Sequence, residues 1–355
     1  MKYPIKSPLN QRISRTNSAI NAMLSQVDEL RGEWTGGVNL SPQILGRLKK
    51  SALITSAGAS TRIEGAKLSD AEIERLINGL KFDKMADRSV QEVQGYYETL
   101  EFIYDNYNDT PISENYIFEL HARLLAYSDK DTRHKGVYKK LENSVKMYNA
   151  DGTEVATLFK TSPPLLTEQH TRALVEWFND EIDENNHHPL LVIAGFLVEF
   201  LHIHPFQDGN GRLSRLLTDL LMLRAGFAYV PYLSQAKIIE ENKAEYYIAL
   251  RRSQITLGTP HENITPWLEF FLRVSLKQAK DAVGLLTGEN VEKTLSRYQL
   301  AVWEYIKKVG EADIKTTVAA TKIERPTVKQ AYAKLLSLKL AERVGEGRGS
   351  RYRLI

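Results

Sequence analysis

The run from Pro189 to Ile203 (PLLVIAGFLVEFLHI) is apolar for about four helical turns, with Pro189 suited to a first-turn position, so it reads as a helix buried in a core. A second follows almost at once. Leu213, Leu216, Leu217, Leu220, Leu221 and Leu223 recur at helical spacing, and Gly226 offers a stop. Both should be buried core helices. Between the apolar stretches lies His204 to Arg215, HPFQDGNGRLSR. Here Asp208-Gly209-Asn210-Gly211 can turn sharply, because glycine and asparagine tolerate positive φ, and the helix that starts there leaves its first amide N–H groups without intrahelical acceptors. That combination makes an anion nest.

The charged residues around the nest suit phosphate. Arg212 and Arg215, three apart on the new helix, share a face from which both can fork onto phosphate oxygens. Asp208 is a hard oxygen ligand of the kind Mg²⁺ takes when it bridges a carboxylate and a polyphosphate. His204 is the one group here that accepts a proton near neutral pH, and its place at the mouth of the nest makes it the candidate general base. Each feature alone has a plainer reading, an ordinary turn for Asp-Gly-Asn-Gly and a structural role for a lone histidine after an apolar helix. An EF-hand loop starting at Asp208 fails, because its sixth position is Leu213 and its twelfth is Asp219 rather than glutamate. No Walker A sequence, His-Glu-x-x-His or nucleophile elbow occurs in the chain.

As a whole, the stretch is similar to the Fic family signature, HPFx[DE]GNGRxxR, with every specified position present. The resemblance implies a mainly α, Fic-type helical domain that transfers AMP from ATP to a Ser, Thr or Tyr hydroxyl of a target protein. It implies that His204 deprotonates that hydroxyl and that Asp208 holds Mg²⁺ against the α- and β-phosphates. Gly209, Asn210 and Gly211 would then line the anion hole, with Arg212 and Arg215 on the outer phosphates. Phe206 reads as a core plug that fixes the loop.

A length of 355 residues suggests two or three domains. The absence of cysteine excludes disulfides and thiolate metal sites. Nothing in the first thirty residues reads as a basic start followed by an apolar signal core, and the apolar runs are too short or too interrupted for a bilayer span, so the expected location is cytoplasmic. The net charge of +3 is uneven: Ser296 to Ile355 holds 13 Lys and Arg against 6 Asp and Glu, a net of +7, which leaves −4 for the rest. The tail is the basic part.

Met1 to about Gln43 carries no readable chemistry beyond a short helical stretch at Ser18 to Arg31. Ser41 to Gly58 reads as a helix with a serine cap and Pro42 at its first position. Next comes Ser60-Thr61-Arg62-Ile63-Glu64-Gly65, in which Ser60 and Glu64 are four apart and share a face if helical. Alone, the pair is a cap or a surface contact. Beside the signature, residues 58–65 resemble the inhibitory helix of the Fic class that carries it N-terminally in the same chain. That likeness implies Glu64 pairing with Arg215 and blocking placement of the ATP γ-phosphate. In some members of the family the same carboxylate positions water for removal of AMP, an alternative the sequence leaves open. Helices are expected over Ser69 to Leu80, with Ser69 and Glu72 as a capping box, over Ser89 to Asn106 and over Ser113 to Ala126. His121, on the last of these, reads as structural.

From Gly136 to Pro164 the period changes. Val137, Tyr138, Val145, Met147, Val155 and Leu158 alternate with polar residues, and Asn149-Ala150-Asp151-Gly152 supplies a hairpin turn. The borders Gly136-Val137-Tyr138-Lys139 and Ser162-Pro163-Pro164 resemble those of the flap hairpin of Fic proteins, which holds the target segment by strand addition. The plainer reading is a hairpin that covers the core. Thr167 to Glu184 is a further helix, and His187 with His188, like His202 with His204, lacks the neighbours a zinc site needs. After Gly226, Tyr229 to Ser234 leads into a helix with Asn242, Tyr246, Tyr247 and Leu250. By resemblance this is the nucleoside side, with Tyr246 or Tyr247 against adenine and Asn242 toward sugar or base, whereas tyrosines at helical spacing alone read as core. A long helix from Thr265 to about Gly284 should close the catalytic domain.

The last sixty residues read as a separate unit: helices at Arg297 to Val309, Ile314 to Thr321 and Pro326 to Leu338, then β-prone Ala341 to Val344 and Arg351 to Leu354 around a glycine-rich link. This looks like a winged helix-turn-helix, with Arg325, Thr327, Lys329, Gln330 and Lys334 on the outer face of its third helix for DNA or protein contact. The expected organisation is an N-terminal helical region over 1–110, a catalytic core over 111–290 with a flap at 136–164, and the winged unit over 291–355. The expected reading is an autoinhibited protein adenylyltransferase, with a target protein on the flap, DNA as a possible second partner, no membrane, and a homodimer as an open possibility. Two rivals stand beside it: a transferase of another nucleotide or an AMP-removing enzyme at the same site, and a DNA-binding regulator whose Fic domain senses nucleotide.

Overall fold

Helices account for most of the chain. In the computed structural model, which describes residues 6–38, 40, 42–79, 88–108, 111–148, 154–286, 295–338, 340–345 and 350–354, they run as α1 (Lys6–Ser14), α2 (Ser18–Gly37), α3 (Pro42–Ile63), α4 (Asp70–Ile77), α5 (Arg88–Asn106) and α6 (Glu114–Leu124). The hairpin strands β1 (Ser144–Tyr148) and β2 (Glu154–Lys160) come next. After them follow α7 (Pro164–Glu184), α8 (Pro189–Ile203), α9 (Asn210–Arg224), a 3-10 turn at Val230–Tyr232, α10 (Gln235–Glu241), α11 (Lys243–Gln254) and α12 (Thr265–Leu286). The last stretch holds α13 (Arg297–Val309), β3 (Glu311–Ala312), α14 (Ile314–Thr321), α15 (Arg325–Ser337), β4 (Ala341–Val344) and β5 (Arg351–Leu354). Among the described residues no helix is long and apolar enough to cross a membrane.

The chain divides into two compact units, Met1–Gly37 with Leu48–Ala282, and Val38–Arg47 with Val283–Ile355. Apart from Val38–Arg47, the N-terminal region therefore shares one unit with the core rather than standing as a domain of its own. The reason is packing on α8. Leu190 through Leu201 is buried on every side, as an apolar helix with no polar face must be. Leu9 and Ile13 of α1 are buried in the same core, and an added Cβ at Gly195 would lie 2.8 Å from Ile13. The one acid of α8, Glu199, is neutralised by Arg12 at 2.7 Å, and Arg12 also grips Glu262 at 2.6 and 2.8 Å. A buried carboxylate needs such a partner.

Local signals set the other ends. Ser69 and Glu72 form the expected capping box of α4, and Ser113 caps α6 by accepting from the Tyr116 amide. The cap expected at Ser41 and the expected end of α4 at Leu80 lie outside the described residues. Where α5 crosses α6, an added Cβ at Gly95 would lie 2.2 Å from the Leu124 carbonyl oxygen. Gly95→Ala should therefore force the helices apart and destabilise the unit by about 2 kcal/mol, lowering Tm by roughly 4–8 °C. Thermal unfolding followed by circular dichroism checks this, and an unchanged Tm would show that the crossing has slack.

The hairpin β1–β2 is antiparallel, with Ser144 opposite Lys160 and Tyr148 opposite Glu154. Val137 and Tyr138, expected in its alternation, precede the strands. Tyr138 is held on α6 instead, its hydroxyl donating to Glu114 at 2.5 Å and its ring against Phe118 at 4.8 Å. The turn at Asn149 to Gly152 lies outside the described residues. In the second unit α13 and α15 pack Val302, Ile306, Val328, Ala331, Tyr332 and Leu335 into one core, with Ile314 and Val318 of α14 against it and a three-stranded sheet ordered β3-β5-β4. Tyr332 stacks on Tyr352 of β5 at 3.9 Å. Strand β3 gave no signal in the sequence, because two residues are too few to show a period.

Candidate active site

The loop between α8 and α9 is bounded by two left-handed residues. His204 ends α8 at φ 54° and ψ 63°, and Gly209 precedes α9 at φ 82° and ψ 0°. Glycine takes that conformation freely, whereas a histidine there has to be held. Phe206 does much of the holding: it is fully buried, stacked on His121 at 3.8 Å and edge-on to Phe118 at 6.0 Å. Asn210, buried, folds its side chain back to accept from the Phe206 amide at 3.0 Å and donate to the Phe206 carbonyl at 2.8 Å. Its side chain thus clasps the loop, and only its backbone is left for the anion hole.

His121 holds the far side. Its Nδ1 accepts from the Gly136 amide at 3.0 Å, so the proton sits on Nε2 and is donated to the Asp208 carbonyl, also at 3.0 Å. Burial pushes its pKa down to about 4, which keeps that tautomer neutral. The same logic fixes His204. Its Nδ1 faces the Leu201 carbonyl at 3.3 Å and donates to it, leaving the Nε2 lone pair to accept a proton. Burial pushes the His204 pKa down to about 4, so the ring is neutral at pH 7.

Asp208 is crowded by cations. One carboxylate oxygen accepts from the Gly209 amide at 2.6 Å and from Arg212 at 3.1 Å, and the other from Lys130 at 2.6 Å, with Arg88 at 3.8 Å. Burial would raise its pKa, but Arg212 and Lys130 hold it well below the usual carboxylate range. An ionised hard oxygen beside a helix N-terminus fits Mg²⁺, and the Lys130 ammonium lies where a cation is wanted.

The two arginines do not act as a pair. Arg212 turns to Asp208 and lies 3.5 Å from Glu92, while Arg215 points the other way, its Nε donating to the Ser60 hydroxyl at 2.7 Å and its Nη2 to the Ser60 carbonyl at 2.9 Å and Glu64 at 2.8 Å. Both keep donors in reserve. Arg212 Nε and Arg215 Nη1 are buried and have no hydrogen-bond acceptor among the described residues, a state that native proteins rarely leave unused.

Ser60 and Glu64 come from one unbroken helix and its exit rather than from a separate helix at 58–65. Ser60 lies within α3, which ends at Ile63, and the Glu64 amide donates to Thr61 at 3.0 Å. Arg62 pins that exit to Glu240 at 2.6 Å and Asp70 at 2.9 Å. The Glu64 carboxylate stands over the start of α9, where a Cβ on Gly211 would lie 2.3 Å from its Oε1. It fills the nest. Burial disfavours the charge on Arg215, but Glu64 and the neighbouring groups more than offset this and raise its pKa.

Of the nucleoside candidates, Tyr246 is buried against Trp267 and Phe270, and Tyr247 contacts it at 5.2 Å. Both are near enough to Arg215 and Glu64 for those charges to act on their hydroxyls. Asn242 lies at the entry to α11, its carbonyl accepting from the Tyr246 amide at 3.0 Å. It is exposed between α10 and α11, and its amide donates back to the Ile238 carbonyl at 2.8 Å, because it serves to end α10. Sequence reasoning missed Lys130, Lys139 and Asn143, which sit in irregular segments where no period marks them, and it left His121 out of the site.

Fold and site together resemble those of a Fic domain. Residues 111–222 match the Fic/DOC family. Its similar relatives include protein adenylyltransferase fic-1 of Caenorhabditis briggsae, 29% identical over 245 residues that cover 67% of this chain and 44% of the relative. Another is protein adenylyltransferase Fic of Drosophila mojavensis, 27% identical over 235 residues, or 64% and 42% of the two chains. The chain thus spans less than half the length of these curated relatives. Among solved structures, a Fic family protein from Desulfovibrio desulfuricans shares the fold at a TM-score of 0.61 and 23% identity, covering 96% of this chain and 97% of that one. Fic-1 from Caenorhabditis elegans does so at 0.59 and 24%, covering 76% and 73%.

Proposed function

We propose that this chain is a protein adenylyltransferase, moving AMP from ATP to a Ser, Thr or Tyr hydroxyl of another protein, and that Glu64 holds it in check. The observation that carries the reading is the Glu64 carboxylate seated on Arg215 and Gly211 beside a neutral His204 and an ionised Asp208. In the transfer, His204 Nε2 takes the proton of the target hydroxyl, the hydroxyl oxygen bonds to the α-phosphorus, and the bond from that phosphorus to the β-phosphate bridge breaks, releasing pyrophosphate. Asp208 would hold Mg²⁺, which would supply charge neutralisation for the phosphates. The first amides of α9, with the unused donors of Arg212 and Arg215, hold the phosphate oxygens once Glu64 withdraws. Tyr246 and Tyr247 stand on the nucleoside side, and the hairpin receives the target as an added strand. A cytoplasmic location accords with this reading. Removal of AMP, with Glu64 orienting a water, is the second reading, because the same carboxylate lies beside the same nest.

Transfer from α-labelled ATP to a lysate tests the proposal, and label in no variant and with no nucleotide would sink it. Because the His204 ring is neutral down to about pH 4, kcat/KM for ATP should be flat from about pH 5.5 to 7 and fall at the acid end as the ring takes up a proton. A base with an ordinary midpoint near 6.5 would instead lose activity below about pH 7.

For the C-terminal unit we infer a winged helix that binds duplex DNA. Three helices under a sheet ordered β3-β5-β4, with Arg325, Lys329 and Gln330 exposed on α15, support it. Fluorescence anisotropy with a labelled duplex should show affinity falling steeply as salt rises, and Lys329→Ala should lower the slope by about 1. No binding at low salt would turn the surface over to a protein partner.

A further inference from the structure

The hairpin and the histidine loop are fastened to each other at one buried ammonium. Lys139, 2% exposed, donates through Nζ to Asn143 Oδ1 at 3.0 Å, to the Thr161 hydroxyl at 2.8 Å and to the Ile203 carbonyl at 3.0 Å. Asn143 immediately precedes β1 and Thr161 immediately follows β2, so both strands of the hairpin end on this side chain. The Thr161 hydroxyl passes its own proton to the Asn143 carbonyl at 2.8 Å. On the loop side, the Lys139 amide donates to the Pro205 carbonyl at 2.9 Å, and Asn143 Nδ2 to the Phe206 carbonyl at 3.0 Å. The carbonyls of Ile203, Pro205 and Phe206, which bracket His204, are therefore all held by the root of the hairpin.

Three donors meet three acceptors, so the ammonium is saturated, yet among the described residues its partners are neutral oxygens and not a carboxylate. A buried cation without a counter-ion is a costly way to make a structural tie. Burial pushes its pKa down to about 8, leaving it charged at pH 7. The charges that act on the His204 ring are Lys139, Glu64 and Asp208. Lys139 also bears on His170 and His202, whose pKa values burial lowers.

We propose that Lys139 is a positioning residue for the transfer reaction, its ammonium fastening both strands of the hairpin to the loop of His204, so that one side chain sets the place of the bound target segment and of the imidazole. The proposal rests on the transferase reading for its catalytic consequence, but not for its hold on His204.

The test uses the full chain with Glu64→Gly as parent. The His204 imidazole resonance, assigned by its loss in His204→Ala, is followed by NMR against pH. In Lys139→Gln its midpoint should rise by about 0.5 pH or more, since a nearby positive charge is gone. In label transfer, Lys139→Gln should lower kcat about 10-fold and move the acid limb upward by the same interval, while the Kd for ATP stays within about twofold. An unmoved midpoint, or ATP affinity that falls in step with turnover, overturns the proposal. If Lys139→Gln does not fold, Thr161→Val decides: about a 3-fold loss in kcat at constant ATP affinity supports it, and parent-like kcat overturns it. Should the parent transfer no label at all, the transferase reading fails, and the NMR midpoint still decides the role of Lys139.

Discussion

Glu64→Gly should raise the rate of label transfer from α-labelled ATP by about 10-fold or more. The carboxylate makes one charged hydrogen bond to Arg215 at 2.8 Å and covers Gly211, and a hydrogen bond to a charged group contributes about 1.5–3 kcal/mol. At roughly 1.4 kcal/mol per factor of ten, that range corresponds to about 10- to 100-fold. The Glu64 side chain keeps 34% of its surface exposed, so screening by water favours the lower end. ATP should also bind more tightly by a similar factor, because Arg215 no longer has to exchange partners. Equal rates for wild type and variant would show that the contact is structural and the site uninhibited.

His204→Ala, made in the Glu64→Gly protein, should then lower transfer by about 10²- to 10⁴-fold, the usual worth of a positioned base. Binding of Mg-ATP should be kept, since the donors to the phosphates come from α9 and the two arginines. Isothermal titration with ATP alongside the transfer assay separates the two effects. Full activity without His204 would require another proton acceptor, and among the nearby groups His121 is ruled out by its hydrogen bonds on both ring nitrogens.

Much of this site could be read from the chain because its parts lie within twelve successive residues. His204, Asp208 and Gly209 to Arg212 are arranged by one helix end, one loop and one helix start, and such short-range geometry follows from local rules. Glu64 was legible only through resemblance, as 151 residues separate it from Arg215 and no local rule joins them. What the sequence could not show is which way a side chain turns. Two arginines three apart on one helix part company because α5 offers Glu92 on one side, and α3 and its exit offer Ser60 and Glu64 on the other. The exposed Asn242 turns one N–H of its side-chain amide back to the Ile238 carbonyl at the end of α10. Lys130, Lys139 and Asn143 stayed hidden for a related reason, since residues in irregular segments carry no period, and their worth appears only when a distant backbone carbonyl or carboxylate arrives beside them.

The carboxylate over the first turn of α9 has a further consequence. As a rival for the phosphate seat it belongs to the same molecule, so its local concentration is fixed by the short exit from α3 and does not change with the amount of protein. If Glu64 holds the site shut as proposed, the fraction of molecules open to substrate would follow the nucleotide level rather than the protein concentration. On the proposed reading such a chain would behave as a gauge of ATP: a tenfold rise in its own expression would leave the setting untouched, and a change in the grip of Arg215 on Glu64 would move it.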